Sequence, residues 1–236
     1  MAGPRSPKGC SVPGPGLNPP SIPGVTPVAP RADHVGMGED SPQRPTGTDD
    51  AIIMDAGLDT SLPAGVARGL GRLLGDGPVA TLGDWAAAVR AATGGGAITR
   101  QDLCHTDDRS PHHAVLDGQR YDFACFYDAV ILAGLADAPV AIHTESPGGT
   151  PITADATGTT SLAVSPASAV FSVGVADDVA PPDGAPTHAT VYAAVCPYVR
   201  AFPDPGAYRA WRSTVDAATV AMPLAGATDL ATALID

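Results

Sequence analysis

The sequence predicts an α+β fold, with a mixed or antiparallel sheet core, flanking helices and a small N-terminal winged-helix-like helical module. Asp117-Gly118 separates two strand-like runs, which indicates a β-hairpin. Short strand-like runs separated by Gly and Pro follow between residues 140 and 175. From residue 190 onward, strand-like and helix-like segments alternate. Strands grouped in this way with later helices are typical of an α+β core.

Residues 1–54 are predicted to be a disordered N-terminal segment. Residues 1–50 contain 11 Pro and 8 Gly and few large apolar side chains. Such a segment buries too little apolar surface to offset the entropy cost of ordering it. Met37 and Met54 are possible alternative starts, so we expect that part of this segment need not be made. Cys10 lies here and is not expected to be functional.

Residues 55–115 are predicted to form the helical module. Ser61-Leu62-Pro63 is a cap with a proline in the first turn, followed by apolar residues at helical spacing. A second helix is expected over Thr81–Ala92, with Trp85 and Val89 on one stripe, and a short third helix over Ile98–Cys104. The Asp-Gly hairpin over Ala114–Phe123 would complete a winged-helix-like unit.

Residues 116–236 are predicted to form the core. An apolar helix is expected over Ala124–Ala136, and Asp204-Pro205 should begin another that runs through Trp211. The remaining predicted elements are strands at Val140–Thr144, Pro151–Ala154, Ser161–Val164, Ala169–Val175, Thr190–Phe202 and Ala218–Leu224, a loop at Asp177–Pro186 and a helix at Thr228–Ile235.

The composition restricts the classes of function. The formal net charge is −12, from 23 Asp and 2 Glu against 12 Arg and 1 Lys. This balance argues against broad nucleic-acid binding, which needs a basic face. An acidic, lysine-poor surface is typical of halophilic proteins, although a GC-rich genome would favour the same residues.

The sequence also indicates a cytoplasmic location with reduced thiols. No apolar run approaches the roughly 20 residues of a membrane span, and the N-terminus has no secretory-type apolar region. Four cysteines in 236 residues are too sparse for a disulfide scaffold.

The candidate chemistry lies in the segment Cys125-Phe126-Tyr127-Asp128, together with the distant Cys196. At i,i+3 spacing, a helical Cys125 and Asp128 lie on one face. A helix N-terminus lowers the pKa of a thiol, whereas a neighbouring carboxylate opposes a second negative charge. The two groups therefore suit proton exchange beside a soft, thiophilic metal. The alternative is a core cysteine near a first-turn aspartate.

Two segments resemble the alkylmercury (organomercurial) lyase family. Arg120-Tyr121-Asp122-Phe123-Ala124-Cys125-Phe126-Tyr127-Asp128-Ala129 is similar to the active-site segment, in which a hairpin strand leads into Cys-x-x-Asp. Val191–Phe202 resembles the strand of the second cysteine, and the Asp204–Trp211 helix also agrees with the family. Residues 140–149 resemble the strand and turn after the active-site helix. The resemblance covers about residues 55–236.

The resemblance implies carbon–mercury bond cleavage by protonolysis, which gives a hydrocarbon and Hg(II) in mercury detoxification. It implies that Cys125 and Cys196 bind mercury as thiolates and that Asp128 delivers a proton to the mercury-bound carbon. Asp128 could also contact the Hg(II) product. No organic cofactor is expected. Exogenous thiols are needed for turnover, and cellular thiols or a mercuric reductase would accept the Hg(II).

Three positions depart from the family pattern. Ala124 replaces a tryptophan that often precedes the first active cysteine. Thr144 replaces a structural cysteine, and Pro197 replaces a cysteine that can follow the second active one. The change at Ala124 could reshape the pocket and the substrate range.

Two other functions stay open. One is a non-catalytic protein of the same fold that holds Hg(II) or Cu(I) through the two cysteines. The other is a regulator that uses the N-terminal module, which the acidic charge disfavours.

Other candidate residues carry weaker signals. Cys104-His105 and His112-His113 could suggest zinc, but their spacing matches no strong pattern. Cys104 could alternatively be a shuttle thiol or a core cysteine, and His143 is expected to be structural. Tyr127 and Tyr198 could line a pocket or pack in the core. The glycines at 94–96 and 148–149 lack the context of a phosphate loop, and no Ser-His-Asp arrangement can be argued from residue order.

Overall fold

The structure is a computed structural model that describes residues 52–75, 77, 79–92, 95, 97–106, 109–179, 184 and 186–235. The predicted disordered segment lies outside these ranges, apart from residues 52–54. The described part is α+β, with antiparallel pairing between all of its named strands, and this confirms the antiparallel form of the predicted core. No described helix is both long enough and apolar enough to cross a membrane.

Five strands form the larger sheet, in the order β2-β1-β3-β4-β5. They are β1 His112–Leu116, β2 Gln119–Phe123, β3 Pro139–Glu145, β4 Pro151–Thr157 and β5 Ser161–Ser165. Asp117 and Gly118, both at positive φ, turn the hairpin between β1 and β2, as the Asp-Gly pair predicts. Exposed and buried residues alternate strictly along β4, so one face of this strand meets solvent and the other meets the core.

Three strands form the smaller sheet, in the order β7-β6-β8. They are β6 Val170–Ala176, β7 Ala201–Phe202 and β8 Ala217–Pro223. Six of the seven residues of β6 are buried, because helices cover this central strand. Gly174 is needed in this strand, since a Cβ there would lie 2.6 Å from the carbonyl oxygen of Ala218.

Six helices surround the sheets in the described part of the chain. They are α1 Ala64–Leu73, α2 Leu82–Ala92, α3 Tyr127–Ala136, α4 His188–Val195, α5 Pro205–Arg212 and α6 Asp229–Ile235. The central helix is α3, whose first seven residues are all buried, as expected for a helix that is apolar on every side. It contacts β3, β4 and α6, while α2 also packs on α6.

Two predicted elements are wrong. Residues 98–104 form a turn and not a third helix, because the Asp102 carboxylate accepts hydrogen bonds from the backbone and hydroxyl of Thr99 and the chain then bridges to Phe123. Most of Thr190–Phe202 is helical and not a strand: α4 ends at Val195, a short 3-10 turn covers Cys196–Tyr198, and only Ala201–Phe202 form a strand.

The hairpin belongs to the larger sheet, because β1 pairs with β3. Two of the three helices expected in the N-terminal module are present, as α1 and α2. Strand β1 runs from His112 to Leu116 and so crosses the predicted boundary between residues 115 and 116. The winged-helix-like character of residues 55–115, and the division at that boundary, stay predictions.

Candidate active site

Cys125 and Asp128 lie where β2 passes into α3. Strand β2 ends at Phe123, and the backbone N–H of Ala124 donates to the carbonyl of Cys104 at 2.8 Å. This hydrogen bond fixes the bend before the helix. Cys125 lies two residues before the first residue of α3, and Asp128 is the second residue of that helix. The apolar helix therefore carries a carboxyl group into the core.

Cys196 lies at the junction between α4 and the 3-10 turn. The Thr187 side chain caps α4 by accepting a hydrogen bond from the N–H of Thr190 at 3.2 Å. Val191 and Val195, four residues apart on α4, are both buried and face the same cavity. This helix face places Cys196 at the cavity wall.

The tertiary structure brings Cys125, Asp128 and Cys196 to one cavity of about 50 Å³. The Cys125 side chain lies close enough to Cys196 to raise the pKa of the Cys196 thiol. All three residues are at most 5% exposed. The other residues that line the cavity are almost all apolar or aromatic: Trp85, Val89, Ile98, Tyr127, Ile131, Phe171, Val173, Val191, Tyr192, Val195, Val199, Leu230 and Leu234.

Burial raises the pKa of Asp128 from 3.8 to about 7. One hydrogen bond opposes this effect, since the backbone N–H of Cys104 donates to Oδ2 of Asp128 at 2.9 Å. A carboxyl group with a pKa near neutrality is able both to accept and to deliver a proton at physiological pH.

The pKa of Cys196 is raised well above its ordinary value. The interaction with the neighbouring Cys125 thiol is the main cause, followed by burial and by the negative charge that Cys125, Asp128 and Cys104 carry when ionised. The Cys196 thiol therefore keeps its proton at neutral pH in the absence of a metal. Binding a metal as a thiolate must release that proton.

Aromatic residues close the cavity. The Tyr127 hydroxyl donates to the carbonyl of Ala227 at 2.8 Å, and its ring stacks on Phe171 with the centroids 5.3 Å apart. Burial raises the pKa of Tyr192, and the charges of Asp128 and the cysteines add to this effect. Of the two tyrosines considered from the sequence, Tyr127 lines the cavity and Tyr198 does not.

A polar network of buried and half-buried residues holds the chain that follows Cys196. The guanidinium of Arg200 donates through Nε to the carbonyl of Pro197 at 2.9 Å and through a terminal nitrogen to Nε2 of His112 at 3.0 Å. Nδ1 of His112 therefore carries the ring proton and donates to Oγ1 of Thr144 at 2.6 Å. Burial and then the charge of Arg200 lower the pKa of His112 to about 4, so the ring is neutral at physiological pH.

The remaining candidate residues are not brought into the cavity. The Cys104 side chain is fully buried but does not line it. His143 lies on the larger sheet and stacks on His113, with ring centroids 4.8 Å apart. Within the described ranges, no group of three or more His, Cys, Asp and Glu side chains could hold a metal ion, so the structure gives no support to zinc. Cys10 lies outside the described ranges.

Sequence reasoning missed the walls of the cavity and the network around Arg200. Trp85 and Val89 were recognisable as one helical stripe, but nothing in the sequence indicated that this stripe faces Cys125. Arg200 and His112 are 88 residues apart. No local pattern connects them.

Comparison with known proteins decides the family. The family model for MerB, alkylmercury lyase, matches residues 106–236, which is more than half of the chain. The chain belongs to the alkylmercury lyase family. A solved structure described as the mercury-bound form of MerB2 is similar at 19% identity and a TM-score of 0.40. That match covers 54% of this chain and 58% of the MerB2 chain. The search of curated proteins found no match.

Two of the three departures from the family pattern belong to the same polar network. Thr144 accepts the hydrogen bond from His112, and the carbonyl of Pro197 accepts the hydrogen bond from Arg200. Thr144 contributes its side-chain hydroxyl to this network, whereas Pro197 contributes only its backbone carbonyl, which any residue at that position would supply.

Proposed function

We propose that this protein is an organomercurial lyase that cleaves carbon–mercury bonds by protonolysis. The observation that carries the proposal is the meeting of two neighbouring thiols and a buried carboxyl group, with its pKa raised to about 7, at one apolar cavity. Thiolates suit a soft metal, and the apolar wall suits the organic group of the substrate. Cys125 and Cys196 are the proposed mercury ligands, and Asp128 is the proposed proton donor.

The first steps replace the ligand X of a substrate R–Hg–X. One thiol forms a sulfur–mercury bond, and its proton leaves with X as HX. The second thiol then adds to mercury and passes its proton to the Asp128 carboxylate. The raised pKa of Cys196 means that this proton is present before mercury binds. The raised pKa of Asp128 makes its carboxylate a suitable acceptor near neutral pH.

The bond-breaking step returns that proton. Two thiolates increase the negative character of the mercury-bound carbon. Asp128 donates its proton to this carbon, the electron pair of the carbon–mercury bond forms the new C–H bond, and R–H leaves. Hg(II) stays on the two sulfurs, and Asp128 is again a carboxylate. Two cellular thiols, or a mercuric reductase, then take Hg(II) and restore both protein thiols.

The direct test is hydrocarbon release from phenylmercury and methylmercury in high salt with excess thiol, measured as benzene and methane in the headspace. We expect product from the wild-type protein and none from Cys125→Ser or Cys196→Ser. Cys10→Ser removes a cysteine that is not one of the proposed mercury ligands and should behave as wild type. Equal activity in all the variants would refute the assignment of the two thiols.

A second candidate is a non-catalytic protein that holds Hg(II) or Cu(I). The small volume of the cavity, about 50 Å³, favours it, since a bare ion needs less room than an aryl group. Tight uptake of one Hg(II) per chain without any hydrocarbon product would support this function over the lyase. Loss of that uptake in the double variant Cys125→Ser with Cys196→Ser would place the ion at the same two thiols.

A further inference from the structure

Trp85 lines the same cavity as Cys125, Asp128 and Cys196. It lies on α2, one helical turn before Val89, which also lines the cavity. The Trp85 side chain is 94% buried. Helix α2 packs on α6, which supplies Leu230 and Leu234 to the same wall. The indole is therefore a fixed part of the site and not a surface group that happens to lie near it.

The indole N–H of Trp85 has no acceptor among the residues that the structure describes. Nε1 is shielded from solvent and has no hydrogen-bond partner there. The Tyr127 hydroxyl, which lines the same cavity, donates instead to the carbonyl of Ala227. Leaving a buried donor unpaired costs free energy, and such a group in a native protein calls for an explanation.

The chemistry of the substrate supplies the missing acceptor. The ligand X on R–Hg–X is a halide, hydroxide or thiolate, and it gains negative charge as a protein thiol displaces it. Most of the cavity wall is apolar and cannot stabilise that charge. A preorganised N–H at such a wall stabilises developing negative charge more strongly than water does.

We propose that Trp85 is a substrate-recognition residue, and that its Nε1–H donates a hydrogen bond to the electronegative ligand X of the incoming organomercurial. The flat face of the ring adds to the apolar wall around the organic group. This inference rests on the proposed lyase function. It adds a specificity for substrates of the form R–Hg–X over R–Hg–R, which has no electronegative ligand.

Single-turnover kinetics without added thiol test the hydrogen bond. Phenylmercury chloride carries X, and diphenylmercury does not. Trp85→Phe removes the N–H and keeps an aromatic wall. We expect a roughly three- to tenfold loss in the association rate for phenylmercury chloride and a clearly smaller change for diphenylmercury. The protein has two tryptophans, so Trp211→Phe is the matched control and should change neither rate. Trp211 packs on Phe202 and Tyr208, outside the cavity.

Equal effects of Trp85→Phe on both substrates would overturn the proposal and leave Trp85 as packing. Absence of benzene from the wild-type protein is a different result, because it refutes the lyase function itself. The two failures are therefore distinguishable.

A measurement that keeps Trp85 covers the case in which Trp85→Phe does not fold. In the double variant Cys196→Ser with Trp211→Phe, a single indole remains and a single cavity thiol binds mercury. Mercuric chloride then gives a Cys125–Hg–Cl adduct that retains chloride, whereas phenylmercury chloride gives an adduct without chloride. We expect the indole N–H resonance of ¹⁵N-labelled protein to move downfield only in the adduct that retains chloride. The same resonance position in both adducts would overturn the proposal.

Discussion

Two polar clusters, one around Arg200 and one around Asp128, differ in how well their polar groups are paired. In the network of His112, Thr144 and Arg200, each hydrogen bond is 2.6–3.0 Å long, and the histidine pKa is lowered to about 4. At the cavity, the Asp128 carboxyl group accepts one backbone hydrogen bond from the described residues, and its pKa is raised to about 7.

The difference shows that burial affects the protonation of a polar group in two ways, depending on how many hydrogen-bond partners the group has. A polar network in which each group has a partner keeps one protonation state and stabilises one geometry. A buried carboxyl group with few partners is held near its titration point, which is unfavourable for stability but useful for proton transfer. The first cluster supports the backbone after Cys196, and the second supplies the proposed chemistry.

The largest expected effect is on catalysis at the poorly paired cluster. Asp128→Asn keeps the shape of the side chain and its acceptor for the Cys104 N–H, but it cannot carry the proton. We expect benzene release from phenylmercury to fall by about 10²–10⁴-fold, while Hg(II) still binds to the two thiols. Headspace analysis and mercury titration measure the two properties separately. Loss of Hg(II) binding together with activity would instead indicate a structural role for Asp128.

The second effect concerns stability and its dependence on pH. The folded protein holds the Asp128 proton up to about pH 7, whereas the unfolded chain releases it near 3.8. The folded state therefore binds more protons in this interval, and the free energy of unfolding falls as the pH rises through it. Asp128→Asn removes this pH-dependent loss of stability. The free energy of unfolding of the variant, relative to that of the wild type, should therefore rise by up to about 4 kcal/mol between pH 4 and 7, as measured by urea unfolding.

Asp122→Asn is the control for the sign of that effect. The hydrogen bonds from Arg120 lower the pKa of Asp122 to about 2, so this carboxylate favours the folded state above its unfolded pKa. Asp122→Asn should therefore reduce the free energy of unfolding at neutral pH but leave it unchanged in acid. This pH dependence is opposite to the one expected for Asp128→Asn. The same pH trend in both variants would contradict the contrast between the two carboxyl groups.

A smaller loss is expected when the well-paired cluster is broken at its centre. Arg200→Ala leaves Nε2 of His112 and the carbonyl of Pro197 without their donor. We expect the free energy of unfolding to fall by roughly 2–3 kcal/mol. The measurement is the shift of the denaturant midpoint, provided that the slope of the free energy of unfolding against denaturant concentration is unchanged. Arg209→Ala, on the exposed side of α5, is the matched control and should stay within about 0.5 kcal/mol of wild type. Equal values for the two variants would show that the network contributes nothing.

The smallest expected effect lies at the edge of that cluster. Thr144→Val keeps the volume of the side chain and removes the acceptor for Nδ1–H of His112, so we expect a loss of about 1–2 kcal/mol. Thr144→Ser keeps the hydroxyl and should lose less. Thr153→Val, on the exposed face of β4, tests whether any threonine would behave in the same way. A Thr144→Ser variant as unstable as Thr144→Val would assign the effect to packing.

Local signals in the sequence predicted the elements that depend on neighbours in the chain. The Asp117-Gly118 turn and the Asp204 cap of α5 are confirmed, since turn and cap geometry is set within a few residues. The apolar helix is confirmed only from Tyr127 to Ala136, so Cys125, which was expected inside it, lies before its first residue. The same reasoning failed over Thr190–Phe202. The β-branched and aromatic residues there favour a strand by propensity. A helix instead buries Val191 and Val195 together on one face at the cavity wall, and this tertiary packing outweighs the propensity.

The sequence by itself determined the presence of two thiols and a carboxyl group on segments that resemble the alkylmercury lyases, and the family model confirms that family. It could not determine that Cys125 and Cys196, 71 positions apart in the numbering, line the same cavity. Nor could it show that Trp85 lines that cavity or that Arg200 reaches His112. These contacts join distant parts of the chain, so their positions depend on how the helices and sheets pack around one core, and only the tertiary structure decided them.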